Sequence, residues 1–155
     1  MASILSSYSA NISLMENYIV KQSVAIKAQP SQVWDALTNP EKTKKYFFHC
    51  EISSQWKKGS DITFKGKLFL VFPIEMRGKI EDIQKEKLLK YTLSNGKSKT
   101  HSTVTDELSY SNGITTLSIS DDVGQGEGAE KRYKKSVKGW EKVLRGLKKL
   151  VEEGR

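Results

Sequence analysis

The stretch Glu127-Gly128-Ala129-Glu130-Lys131-Arg132-Tyr133-Lys134-Lys135-Ser136-Val137-Lys138-Gly139-Trp140-Glu141-Lys142-Val143-Leu144-Arg145-Gly146-Leu147-Lys148-Lys149-Leu150-Val151-Glu152 decides how this 155-residue chain folds. Tyr133, Val137, Trp140, Leu144, Leu147 and Val151 recur at spacings of three and four, and Val143 and Leu150 widen the stripe, which is the period of a helix with one apolar face. Lys131, Lys134, Lys135, Lys138, Lys142, Arg145 and Lys149 fall on the rest of its surface. About 25 helical residues run roughly 38 Å, enough to cross a whole sheet. Gly139 and Gly146 sit beside the stripe, and each costs up to about 1 kcal/mol in a helix interior. A backbone that approaches the sheet, or a cavity, closely at those points explains them.

Working back from the helix, Gly124, Gly126 and Gly128 read as a flexible lead-in, without the Lys-Ser/Thr ending of a phosphate-binding loop. Everything between His49 and Asp121 reads as strand. The runs are His49 to Gln55, Asp61 to Phe69, Ile74 to Asp82, Leu88 to Leu93, Thr100 to Tyr110 and Ile114 to Asp121, parted by Lys58-Gly59, Pro73, Asn95-Gly96 and Asn112-Gly113. A further alternating strand runs from Tyr18 to Ala28. Gln29-Pro30-Ser31 stops it, and Ser31 is placed to cap a helix carrying Val33, Trp34 and Leu37. Asn39-Pro40 breaks that helix and opens another, Glu41 to Tyr46, because proline is tolerated in a first turn but not inside a helix. The predicted class is α+β, one strand, two short helices, a six-strand meander and a long final helix, giving an antiparallel sheet of about seven strands.

The length suits one domain at residues 15–155. Residues 1–14 are Ser-rich without a sustained period and are expected to be a disordered extension, with Met15 an alternative start. A single cysteine, Cys50, cannot form an intramolecular bridge, which points to a reducing compartment and so to the cytoplasm. No run approaches the roughly 20 apolar residues of a membrane span, and the first residues lack the basic leader and apolar core of a signal peptide. The net charge of +8 raises the question of nucleic acid, but the lysines are spread along the chain and no zinc-ligand, stacking or helix-turn-helix pattern accompanies them. A solvated basic surface is the preferred reading, and a nucleic-acid partner is disfavoured.

Asn112-Gly113 suits a two-residue hairpin, which sets Ser111 opposite Ile114, Leu108 opposite Leu117, Asp106 opposite Ile119 and Val104 opposite Asp121. Since Val104, Leu108, Leu117 and Ile119 form the apolar face, Asp106 and Asp121 share it. They are either a polar anchor in an apolar pocket, a general base with a raised pKa, or, as the preferred plainer reading, Asp121 reaching solvent at the strand end and Asp106 at a bulge. The same parity argument turns Ile62, Phe64, Ile74, Met76, Leu89, Tyr91 and Leu93 inward, toward Trp140 and Leu144. Candidate ligand contacts are therefore Trp34, Phe64, Met76, Tyr91, Asp106, Asp121, Trp140 and Leu144. Plain core is the competing reading for most of them, and Tyr91 and Trp140 stand out because each has a polar tip that wants a partner when buried. Tyr46-Phe47-Phe48 follows the second short helix, where an exposed aromatic side chain would gate the pocket or touch a membrane, burial under the helices being the preferred reading. No catalytic residue, metal site or cofactor is assigned. His49 and His101 lack metal spacing, and neighbours on a strand point to opposite faces, which separates Cys50 from His49.

The segment from Ala28 to Glu41, with Pro30, Val33-Trp34, Ala36-Leu37-Thr38 and Asn39-Pro40-Glu41, resembles the opening signature of the START-like (SRPBCC, birch-pollen-allergen-like) superfamily. The closer resemblance is to the family of the heat-shock chaperone ATPase activator. Gly78-Lys79-Ile80 leading to Leu88-Leu89-Lys90-Tyr91 is similar to that family's strand pair, and Gly139-Trp140 with Leu144 and Leu147 to its final helix. The match runs from about residue 18 to 152. It implies a helix-grip fold, a curved sheet around the long helix, with an apolar cavity between them. The expected function is a non-enzymatic domain that binds a small hydrophobic molecule, lipid-like or aromatic. The alternatives are a chaperone-interacting or stress-response regulatory module, and behind it a cyclase or hydrolase using Asp106 or Asp121.

Overall fold

The computed structural model describes residues 18–68, 72–94 and 101–154. The extension expected at residues 1–14, with its alternative start at Met15, and the turn expected at Asn95-Gly96 lie outside these residues. The element order is β1 (Ile19–Ile26), α1 (Pro30–Thr38), α2 (Pro40–Tyr46), β2 (Glu51–Ser54), β3 (Asp61–Leu68), β4 (Phe72–Gln84), β5 (Leu88–Leu93), β6 (Ser102–Ser111), β7 (Ile114–Asp122) and α3 (Ala129–Glu153). The seven strands form one curved antiparallel sheet in the order β1-β7-β6-β5-β4-β3-β2, so the first strand closes against the last and the rest is a meander. This is the helix-grip arrangement expected from the sequence.

The hairpin register is the predicted one. Asn112 and Gly113 take φ of 52° and 81°, the positive values that a two-residue turn of this hand requires. Ser111 then faces Ile114, Leu108 faces Leu117, Asp106 faces Ile119 and Val104 faces Asp121. No shift of register interrupts this pair; the irregularity of the sheet lies between Ile80 and Asp82 on β4. Just before it, Gly78 passes so close to β5 that a Cβ would collide with the Thr92 carbonyl, so only glycine serves there.

Two local expectations are corrected. Ser31 does not cap α1. Pro30 occupies the first turn, Gln29 is the cap residue, and the Gln29 amide donates to Gln32 Oε1 at 2.9 Å. Of the α3 glycines, Gly139 borders a cavity as expected, whereas Gly146 faces neither the sheet nor a cavity. A Cβ on Gly146 would stand 3.0 Å from Tyr46 Cβ, and one on Gly139 would stand 3.7 Å from the Phe48 ring. It is α2 and the turn after it that come close to the long helix.

Trp140, Val143, Leu144, Leu147 and Val151 of α3 are buried against Val20, Ile26, Ile62, Phe64, Leu117 and Ile119 of the sheet and Val33 of α1. Losing a buried leucine such as Leu147 costs about 2–5 kcal/mol, against at most about 1 kcal/mol for each helix glycine, so packing rather than propensity holds the helix. Both ends are also tied. Lys148 Nζ donates to the Ala25 carbonyl at 2.6 Å, and the Lys27 amide donates to Glu152 Oε2 at 2.8 Å. At the other end Gly124, Gly126 and Gly128 all have φ near +80°, and Arg132 reaches back to donate to the carbonyls of Val123, Gln125 and Glu127. The lead-in read as flexible is thus wound around one guanidinium.

Candidate functional site

The pleat of β6 and β7 carries Asp106 and Asp121 inward, and both are buried, 3% and 6% exposed. The preferred expectation, one at a bulge and the other in solvent, is corrected: without a bulge in this hairpin, side-chain alternation leaves them no other direction.

The two carboxylates have different surroundings. Asp121 Oδ2 accepts hydrogen bonds from Ser136 Oγ at 2.6 Å and from Trp140 Nε1 at 2.9 Å. Both donors come from one face of α3, four residues apart. Asp121 Oδ1 and Asp106 Oδ1 have no hydrogen-bond partner among the described residues. Burial, and secondly the charge of Asp121, push the Asp106 carboxyl up to about 7. The Tyr91 phenol is raised well above its usual value, chiefly by burial and then by the two aspartates.

Two spaces lie between sheet and helix. The inner one is only about 20 Å³, room for about one water, and is lined by Phe64, Leu89, Asp106, Leu144 and Leu147 among others. The outer one is an open cleft of about 410 Å³ between the first half of α3 and β4 to β7, lined by Phe48, Met76, Leu93, Val104, Asp121 and Gly139 among others. Phe47, Tyr91, Trp140 and Val143 line both and so form the partition. Phe47 lies 5.8 Å from Trp140 between ring centroids, and Phe64 on the inner side links Phe47, at 5.2 Å, to Tyr91, at 5.8 Å.

Of the eight candidate residues, Phe64, Asp106 and Leu144 border the inner space, Met76 and Asp121 the cleft, and Tyr91 and Trp140 both. Trp34 borders neither and packs in the core under α1. Sequence reasoning did not find Ser136, although its place four residues before Trp140 puts it on the same helix face. The Tyr46-Phe47-Phe48 segment divides: Tyr46 and Phe47 pack against the core, while Phe48 is 44% exposed at the cleft edge, with Lys142 Nζ 5.7 Å from its ring centroid. His101 also borders the cleft, although its parity had turned it away; it precedes β6, where the alternation begins. Cys50 is buried, and burial raises its thiol. No helix of the described residues is long and apolar enough to cross a membrane.

Comparison with known proteins matches residues 27–152 to the family model described as "Activator of Hsp90 ATPase homolog 1-like protein". No curated protein matches the sequence. Among solved structures, ChR145 from Cytophaga hutchinsonii is 30% identical, with 88% of this chain and 94% of that one covered and a TM-score of 0.71. Protein NE0264 from Nitrosomonas europaea superposes with a TM-score of 0.76 at 16% identity, over 88% of this chain and 96% of that one. DynU16, from the dynemicin biosynthetic locus, superposes with a TM-score of 0.73 at 18% identity, over 90% of this chain and 49% of that one. The last two likenesses speak for the fold alone.

Proposed function

On the premise that the chain belongs to the family of activator of Hsp90 ATPase homolog 1-like proteins, whose fold is compatible with ligand binding, we propose that it is a non-enzymatic, cytoplasmic binding domain for a small hydrophobic molecule, lipid-like or aromatic. The observation that carries this reading is the open cleft of about 410 Å³ walled by Phe47, Met76, Tyr91, Leu93 and Trp140. Ligand sites fall in the range of roughly 300–1,000 Å³, mostly apolar with a few placed polar groups. The inner space is too small for anything beyond a water, so the ligand sits in the cleft with the aromatic partition as its floor. A fragment burying roughly 300 Å² of apolar surface gains about 7 kcal/mol before association costs, so burial alone gives binding weaker than micromolar.

Native mass spectrometry of protein purified without detergent, together with titration by a fluorescent apolar probe, tests the reading. Gly139→Leu projects a side chain into the cleft from a position whose backbone is ordinary helix, and it is expected to abolish probe binding while the protein stays folded. Absence of any bound molecule and of any probe binding to the wild type would sink the proposal.

A second reading rests on the outward face of α3, where Lys131, Lys134, Lys138, Lys142, Arg145 and Lys149 are all exposed. Such a face suits an acidic partner such as a chaperone. A pull-down whose yield falls as salt rises would support it, since charge-led association is screened; a salt-insensitive or absent interaction removes it.

A further inference from the structure

Inside the cleft, whose charged lining is Asp121, Arg132 and Lys135, one carboxylate oxygen is left without a donor among the described residues. Asp121 borders the cleft, and among the described residues its carboxylate is held by the neutral donors Ser136 and Trp140, both on Oδ2. Its Oδ1 is sealed from solvent and has no partner among the described residues, and the same holds for Oδ1 of Asp106 behind the partition. An unpartnered buried carboxylate oxygen loses its hydration without return, a cost that persists where something else is meant to supply the donor. The cations nearby do not answer it. Arg132 spends its guanidinium on the carbonyls of Val123, Gln125 and Glu127, and Lys135 stands exposed at the rim.

We infer that the molecule held in the cleft carries, on its apolar body, a protonated amine that donates to Asp121 Oδ1. The inference rests on the ligand-binding reading above and names the ligand's chemical class. Ser136 and Trp140 fix the carboxylate by one oxygen and leave the other to the ligand. A shift of the Tyr91 ring, which borders both spaces, opens the way to that oxygen while Ser136 and Trp140 keep their bonds to Oδ2. The Asp121 carboxylate favours a cation over a neutral hydroxyl and disfavours an acid, because a second anion beside it would meet like charge in a low-dielectric site.

The test is a head-group series on one apolar body: phenylbutylamine, phenylbutanol and phenylbutyrate, titrated by calorimetry into the wild type and Asp121→Asn at moderate salt, which screens the basic surface. A charge-assisted hydrogen bond corresponds to roughly 10–100-fold in affinity, so the amine is expected to bind at least about tenfold tighter than the alcohol, and the acid weakest. In Asp121→Asn, with folding checked by thermal melting, the amine's advantage over the alcohol is expected to disappear. Equal binding of all three, or tightest binding of the acid, overturns the inference and leaves the cleft as a plain hydrophobic site. Failure of all three to bind, with the apolar probe also silent, brings down the ligand-binding reading itself. The wild-type order decides the matter even if the variant does not fold.

Discussion

Asp106 ties the stability of the whole domain to pH, and Asp106→Asn should cut that tie. The wild-type carboxyl titrates near 7 in the folded protein and near 3.8 unfolded, because burial first and Asp121 second oppose its charge. Below about pH 4 both states are protonated and the group has no effect. From there to about pH 7 the unfolded chain gives up its proton while the folded one keeps it. The unfolded state then binds fewer protons, and stability falls as pH rises, by about 1.4 kcal/mol per pH unit. Across roughly three pH units the loss is about 4 kcal/mol, and above pH 7 it levels off. Asparagine has nearly the same volume and no charge, so the variant should match the wild type near pH 4 and exceed it by about 4 kcal/mol at pH 8, or roughly 10 °C in Tm for a chain of this size. Urea unfolding followed by circular dichroism at several pH values between 4 and 8.5 measures the difference directly, since every other titrating group is shared. A gap between variant and wild type that stays constant across that range would refute the account.

Gly78→Ala is expected to lower Tm by 10 °C or more or to prevent folding, because the collision with the Thr92 carbonyl can be relieved only by parting β4 from β5 (roughly 3 kcal/mol or more). Arg132→Gln should leave the global midpoint within about 1 kcal/mol yet speed hydrogen exchange through residues 123–128, since three carbonyls lose their shared donor; unchanged exchange there would refute the tether. Cys50, 2% exposed with its thiol raised by burial, should react with a thiol reagent only on unfolding, so labelling rates should follow denaturant; fast labelling of the native protein would contradict its placement.

The sequence revealed strands and register well because those signals are local. Asn112-Gly113 sets the turn, and once the turn is set the pleat dictates which side chains share a face out to Asp121. The error about Asp106 and Asp121 came from allowing the hairpin a bulge that its unbroken register does not contain. What makes an inward Asp121 tolerable is a pair of donors on α3, 15 and 19 residues further on, and only the packed structure brings them to it. Gly146 teaches the same lesson, since its neighbour Tyr46 lies a hundred residues away and no period in the sequence could name it. At α1 a proline in the first turn and a glutamine cap displaced the serine that general preference favours. The split between a nearly filled interior and an open cleft depends on how Phe47, Tyr91 and Trp140 turn, which parity does not reach.

The fastening of α3 at both ends has a mechanical consequence. Lys148 and Glu152 clamp one end to β1 and the chain just after it, and Arg132 moors the other to the loop it leaves, so the helix is a beam built in at both supports rather than a door on one hinge. Such a beam does not swing or slide, and its middle is held too, Ser136 and Trp140 donating to Asp121 and the Val137 carbonyl accepting from Gln22 Nε2. Gly139, with no side chain to stiffen its turn, stands there beside the cleft. Held in this way, the helix keeps one wall of the cleft in place.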